Sequence, residues 1–243
     1  MPVIDCYGQL GPQPYPTQAT NPDALDQLMT RFGVDMTFVA ATEALRGSMS
    51  AGNAWLAAQI AGRPRFRGYC VVNPLMFEAS QEEMRKHLSK ENFVGAMLHE
   101  GYIKRPLNSE PMLLLVKSLL RYDRPFLLRI TDPREINDLQ QVAKEFPTQR
   151  FIILHMAGEH WPMALSLAAK ITNVYLETGG MAADYDKLAE AVEIVGAHRL
   201  LFGSGMPMVS PVYALGMIRD SSVGAIEKER ILSRNARKVF NLD

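Results

Sequence analysis

The chain has 243 residues, 47% of them hydrophobic and 21% charged, the balance of an ordinary folded protein long enough for one large core. Lysine plus arginine and aspartate plus glutamate both number 26, so the formal charge is zero and no bulk electrostatic term draws the chain to nucleic acid or to an anionic membrane. No apolar run reaches the ~18 residues of a membrane span, and the stretch from Met1 to Gly11 has no leader pattern, so a cytoplasmic protein with one domain over 1–243 is expected.

Short β-branched runs alternate with helical segments, the signature of parallel strands joined by crossovers. Taken in order, the runs are Val3 to Tyr7, Met36 to Ala40, Arg67 to Asn73, Val94 to His99, Phe126 to Ile130, Phe151 to His155, Val174 to Thr178 and Leu200 to Ser204. Most are apolar throughout rather than alternating, as suits strands covered on both faces. Among the helices, Asn21-Pro22-Asp23 supplies a cap and a first-turn proline, and Arg31-Phe32-Gly33 a stop. Ser80 with Glu83 has capping-box spacing for a helix to about Ser89. Ser109 and Pro111 open another helix, Asp132-Pro133 one that ends near Phe146-Pro147, and Ala182 to Val195 carries apolar residues at helical spacing. Cys6 and Cys70 both fall inside apolar runs and read as reduced, buried thiols.

Eight strands and their crossovers in this length match an α/β (β/α)8 (TIM) barrel, typically ~250 residues. A doubly wound open sheet is the alternative, although no glycine-rich phosphate loop follows the first strand.

Several stretches, spread from end to end, resemble the amidohydrolase-related family. Val3 to Gly11 resembles its first-strand Asp-x-His-x-His motif, and Val94 to Tyr102 the fourth strand with the following loop. Asp123 to Arg129 occupies the fifth-strand place, Phe151 to Gly158 the sixth, and Leu201 to Pro207 resembles the eighth-strand Phe-Gly-Ser-Asp-x-Pro motif. Ser233 to Phe240 is similar to the closing helix. The resemblance implies a TIM barrel of the metallo-dependent hydrolase type. It also implies metal ligands at the first-strand pair, the fifth- and sixth-strand histidines and the eighth-strand aspartate. Those positions hold Tyr7, Gln9, Arg129, His155 and Gly205 here. One histidine beside a phenol, an amide and a guanidinium falls short of the roughly three ligands a catalytic zinc needs. Arg129 would also set a fixed positive charge where a dication should sit, at about 4 kcal/mol per unit charge product at ~4 Å. No metal and no cofactor are therefore expected, and Gly205 removes the family's water-activating base as well.

Strand ends are where a barrel gathers its chemistry. Arg129 is the candidate holder of a substrate anion, His155 the acid or base, and Tyr7 a proton or hydrogen-bond donor. Gln9, Asn73, His99, Glu177, Tyr102 and Trp161 are candidate substrate-binding residues. Each has a structural alternative. Arg129 could form a buried ion pair with Glu177, His155 could be a core histidine bonded to backbone, and His99 could be solvated. Glu159 and His160 could cap the next helix, Asp5 reads as structural, and Tyr102 and Trp161 read equally as packing.

The leading expectation is a metal-independent enzyme acting by acid/base chemistry on a small, anionic organic molecule, with lactone or ester hydrolysis first and decarboxylation, cyclisation or isomerisation after it. A catalytically inactive barrel that binds a ligand or serves as a partner subunit is the second reading. A metal enzyme with relocated ligands His99, His155 and Glu177 is the third. Homo-oligomerisation is left open.

Overall fold

The computed structural model describes residues 1–14, 16–17, 20–180 and 186–242. The eight apolar runs become β1 (Ile4–Leu10), β2 (Met36–Ala41), β3 (Phe66–Val71), β4 (Phe93–Leu98), β5 (Phe126–Leu128), β6 (Phe151–Ile153), β7 (Val174–Glu177) and β8 (Leu200–Leu201). Each strand pairs in parallel with the next in chain order. Closure comes from the segment after β8. Cys6 N donates to Phe202 O, Gly205 N to Tyr7 O and Gln9 N to Met206 O, each at 2.8 Å. Sequential order and closure give the (β/α)8 barrel and exclude the open sheet. β5, β6 and β8 are shorter than the apolar runs suggest, because Arg129, His155 and Ser204 have already left the sheet for the loops.

Local chemistry fixes the helices that follow. In α1 (Pro22–Phe32) the Asn21 side chain accepts from Ala24 N, and Gly33 closes the helix at φ 71°. Between β2 and β3 the chain makes α2 (Thr42–Arg46) and α3 (Met49–Gln59). The helix α4 (Phe77–His87) corrects the Ser80–Glu83 capping box, since both residues lie inside it. Ser80 Oγ instead accepts from Asn73 N and donates to Asn73 O, tying the helix to the end of β3, while Glu83 accepts from buried Asn53. Next, α5 (Glu110–Leu119) starts after Ser109, whose side chain makes no cap bond. By contrast, Asp132 and Glu135 form a reciprocal capping box on α6 (Pro133–Glu145).

After α7 (Trp161–Lys170) comes α8 (Lys187–Val195); residues 182–185 of the helix expected from Ala182 lie outside the described residues. The chain ends through α9 (Pro211–Arg219), α10 (Ala225–Glu229) and α11 (Asn235–Val239). Cys6 and Cys70 are free and buried, and burial pushes both thiols well above their ordinary range. Among the described residues no helix is long and apolar enough to cross a membrane.

One buried carboxyl joins the two ends of the barrel. Asp5 Oδ1 accepts from Tyr7 N at 3.1 Å and from Ser204 N at 2.9 Å, and its Oδ2 lies 2.5 Å from Ser204 Oγ. That places Asp5 in the structural role expected of it. Burial raises this carboxyl from its ordinary 3.8 to about 7, against the opposing hydrogen bonds from Ser204 and Tyr7. Because the folded state holds the proton more tightly, the stabilisation is complete below pH ~4 and is lost as the pH rises to about 7. We expect wild-type stability to carry a falling contribution of up to about 1.4 kcal/mol per pH unit across that window. Urea melts of Asp5→Asn from pH 4 to 8 should lack this slope, and coincident slopes would mean that Asp5 titrates as it does in the unfolded chain.

Candidate active site

The residues that follow the strands converge at the C-terminal mouth of the barrel. Tyr7 and Gln9, in the C-terminal half of strand β1, are joined by a hydrogen bond from Gln9 Nε2 to the Tyr7 hydroxyl at 2.7 Å, and both are almost fully buried. Burial pushes the Tyr7 phenol up to about 12, against the pull of the nearby Arg129 charge. At that value it serves as a hydrogen-bond donor and not as a base. The His155 ring packs edge-on to Tyr7, with centroids 5.5 Å apart.

His155 reaches this place through an unusual turn. Directly after β6, His155, Met156 and Ala157 all adopt left-handed conformations, with φ of 54°, 53° and 64°. Each such non-glycine residue costs about 1–2 kcal/mol. Glu177 at the end of β7 offsets part of this cost. Its Oε2 accepts from His155 N at 2.8 Å and lies 3.0 Å from His155 Nδ1, while Oε1 accepts from Gly179 N at 2.6 Å. Position 203 must be glycine for that carboxylate to fit, since a Cβ there would fall 2.0 Å from Glu177 Oε1. With Nδ1 beside Glu177, Nε2 is the ring nitrogen directed away from that carboxylate. His155 is thus anchored through its backbone N–H, with the ring beside the same carboxylate.

The charge of Arg129 is balanced elsewhere. Its Nε lies 2.8 Å from Glu100 Oε2, so the expected pairing with Glu177 is replaced by one with Glu100, which sits in the loop after the neighbouring strand β4. The same carboxylate oxygen is 3.1 Å from His99 Nε2. Gly101 N donates to His99 Nδ1 at 3.2 Å, which leaves the proton of the neutral ring on Nε2. Only 6% exposed, His99 is not solvated as the sequence allowed. Burial, with Arg129 and Arg46, pushes it down to about 4, so it is neutral at physiological pH despite Glu100 alongside. Glu100 had no assigned role in the sequence, although an acidic residue next to His99, on the strand neighbouring Arg129, was an available signal.

Three further substrate-binding candidates make contacts of their own. Asn73 caps the turn Pro74–Met76, its Oδ1 accepting from Leu75 N. Tyr102 donates to Ala44 O at 2.7 Å, which pins the loop after β4 onto α2. Trp161 is buried at the start of α7 with Lys187 Nζ 5.6 Å from its ring centre. Glu159 is exposed, and His160, at the N-cap of α7, makes no side-chain cap bond.

The family-type ligand positions meet as the resemblance implies, but they do not fit a metal ion. They bring a phenol, an amide, a guanidinium already paired with Glu100, one imidazole and no carboxylate. At position 205 a Cβ would point to within 3.7 Å of His155 Cε1, so the side chain that would complete a ligand set toward His155 is the one glycine lacks. Among the described residues no three His, Cys, Asp or Glu side chains gather around a common point, which also removes the relocated set His99, His155 and Glu177.

Because Glu177 is buried and holds two backbone N–H groups, Glu177→Ala should cost about 1–3 kcal/mol or more by leaving both donors unpaired. Urea denaturation gives the size, and amide exchange locates it. Faster exchange at His155 and Gly179 is expected, and unchanged protection there would show that the left-handed turn stands without Glu177.

No curated protein matches the chain in sequence. Among solved structures, 2,6-dihydroxybenzoate decarboxylase from Rhizobium has a TM-score of 0.84 at 17% identity, covering 100% of this chain and 99% of that one. A dihydroxybenzoic acid decarboxylase from a Polaromonas species, with bound manganese and the inhibitor 2-nitroresorcinol, gives 0.79 at 17% identity over 99% and 97%. The 5-carboxyvanillate decarboxylase from Sphingomonas paucimobilis gives 0.78 at 14% identity over 100% and 99%. At such identities the likeness is one of fold. The sequence profile of the amidohydrolase family, however, matches residues 8–242, nearly the full length. The chain belongs to the amidohydrolase family.

Proposed function

We propose that this protein is a metal-independent enzyme, with residues 1–243 forming one domain, that turns over a small organic anion by acid/base chemistry at the barrel mouth. The carrying observation is His155 placed against Tyr7 and backed by Glu177, with the half-buried Arg129 guanidinium beside them. Glu100 engages Arg129 through Nε, so the terminal nitrogens remain to grip a carboxylate in a planar, two-pronged contact. Hydrolysis of a lactone or ester uses every group. His155 takes a proton from water as the water oxygen attacks the carbonyl carbon. Tyr7 donates a hydrogen bond to the developing oxyanion, and the departing alkoxide collects the proton from His155.

Decarboxylation is the second reading, favoured by the solved decarboxylases that share the fold. There His155 would deliver a proton to the carbon that loses carbon dioxide. Arg129 would have to hold a group other than the departing carboxylate, because gripping that carboxylate stabilises the ground state more than the transition state. Cyclisation or isomerisation would draw on the same acid/base pair.

A panel of lactones, esters and hydroxybenzoic acids, assayed with chelator-treated protein, tests the proposal. Turnover should survive the chelator. His155→Ala should lower kcat about 10²- to 10⁴-fold, and Arg129→Ala should mainly raise KM. Activity that appears only with added manganese, or that ignores both substitutions, would overturn it. Anion binding without any turnover would favour an inactive ligand-binding barrel.

A further inference from the structure

The end of the barrel opposite the mouth carries a cation without a counterion. Two turns meet there, one entering β5 at Phe126 and one entering β6 at Phe151. Gln149, 3% exposed, fastens them together, its Nε2 donating to Arg124 O at 2.9 Å and to Arg150 O at 3.0 Å. Beside it lies a cavity of about 70 Å³ whose lining includes Asp123, Arg124, Thr148 and Arg150.

The two arginines are treated differently. Arg150 is paired, with Nη2 donating to Asp123 Oδ1 at 2.7 Å and Nη1 to Asn241 Oδ1 at 3.2 Å, while Asn241 Nδ2 donates to Asp123 Oδ2 at 2.9 Å. Asp123 is thereby committed. The guanidinium of Arg124 makes no hydrogen bond or ion pair among the described residues. Of its three nitrogens only Nε is sealed from solvent, so the two terminal ones are open to a ligand. Burial and the Arg150 charge push this guanidinium below its ordinary range, against the attraction of Asp123 and of Glu91, neither of which approaches to ion-pair distance. A partly buried, unpaired cation is costly, and water can solvate it but not neutralise it.

We propose that this cavity binds a small oxyanion of the phosphate class, held by the terminal nitrogens of Arg124 with the Thr148 hydroxyl as a further donor. The size fits, because one water needs about 10–15 Å³ of such space and an organic ligand about 300–1,000 Å³. A guanidinium grips two oxygens of one anion in its plane, which a halide cannot offer, so phosphate is favoured over chloride. The bound anion ties the turn before β5 to the turn before β6 at the face of the barrel associated with stability and not with chemistry. The site is independent of any role of Arg129.

Calorimetric titration of the full chain with inorganic phosphate at neutral pH, with sodium chloride holding the ionic strength constant, tests this. In Arg129→Ala, which removes the anion site proposed for the mouth, one phosphate should still bind, and Arg124→Gln should weaken that binding at least about tenfold. On the wild-type chain, phosphate should move the amide NMR signals of Asp123, Arg124, Thr148, Gln149 and Arg150. Absence of phosphate binding over the chloride control overturns the proposal. So does binding that Arg129→Ala abolishes and Arg124→Gln leaves intact, or signal changes confined to the mouth. The NMR comparison needs no variant, so it decides the matter even if a substituted chain does not fold.

Discussion

The arrangement of the mouth depends on where one buried carboxylate sits. Glu177 is inaccessible to solvent and must be satisfied from within, so the protein has built three neighbouring loops around it. It draws in the backbone N–H of His155 across from β6 and that of Gly179 from its own loop, and it excludes any side chain at position 203 after β8. The left-handed run from His155 to Ala157 is a conformation an isolated peptide would avoid. It is over-determined here because the alternative strands a buried carboxylate without donors. The backbone position of His155 follows from that constraint, and its ring is seated edge-on to Tyr7 and close to Gly180.

The electrostatics of the mouth have been rebuilt to suit a guanidinium. A divalent ion needs several anionic or imidazole donors around one point, and this barrel offers at the corresponding positions a phenol, an amide, an arginine, one histidine and a glycine. Arg129 contributes the positive charge directly, and Glu100 balances it in the unliganded site. His99, held neutral by burial and by the same arginine, adds no second cation. Positive charge is thereby concentrated on one planar group with a fixed hydrogen-bonding direction, where a metal would have provided a centre open from several sides.

Most of the fold was legible in the sequence, because covered parallel strands read as continuous apolar runs and because Asn21, Gly33 and the Asp132–Glu135 pair act locally. What the sequence misplaced depended on distant partners. Ser80 and Glu83 have the spacing of a cap, but Asn73 and Asn53, supplied by other elements, claim their side chains. The inward-pointing residues of α3 include Gly52 and Asn53 as well as Met49 and Leu56, so its apolar face is interrupted and periodicity was a poor guide there. At the site, Tyr7, Gln9, Arg129, His155 and Glu177 were identified by position, whereas the pairing of Arg129 was not. Barrel order would have decided it. β5 lies between β4 and β6, so the loop carrying Glu100 is adjacent to Arg129, whereas Glu177 is two strands away. Strand-end position also put Asn73 among the candidates without showing that its side chain caps the turn that follows.

The Glu100 pairing also bears on why arginine, and not lysine, fits this position. In the proposed role of Arg129, a ligand anion would share its charge with Glu100, and two carboxylates competing for one ammonium would each weaken the other. A guanidinium has separate edges, so Nε can stay with Glu100 while the terminal nitrogens meet the ligand, and neither contact must break for the other to form. In the proposed anion-binding role, charge alone would then hold the ligand weakly, because Glu100 balances Arg129 and the Glu177 carboxylate lies beside His155. Affinity and selectivity must then come from directed hydrogen bonds around the charge. In the proposed site Tyr7, close to Arg129, and His155, packed against Tyr7, would make them.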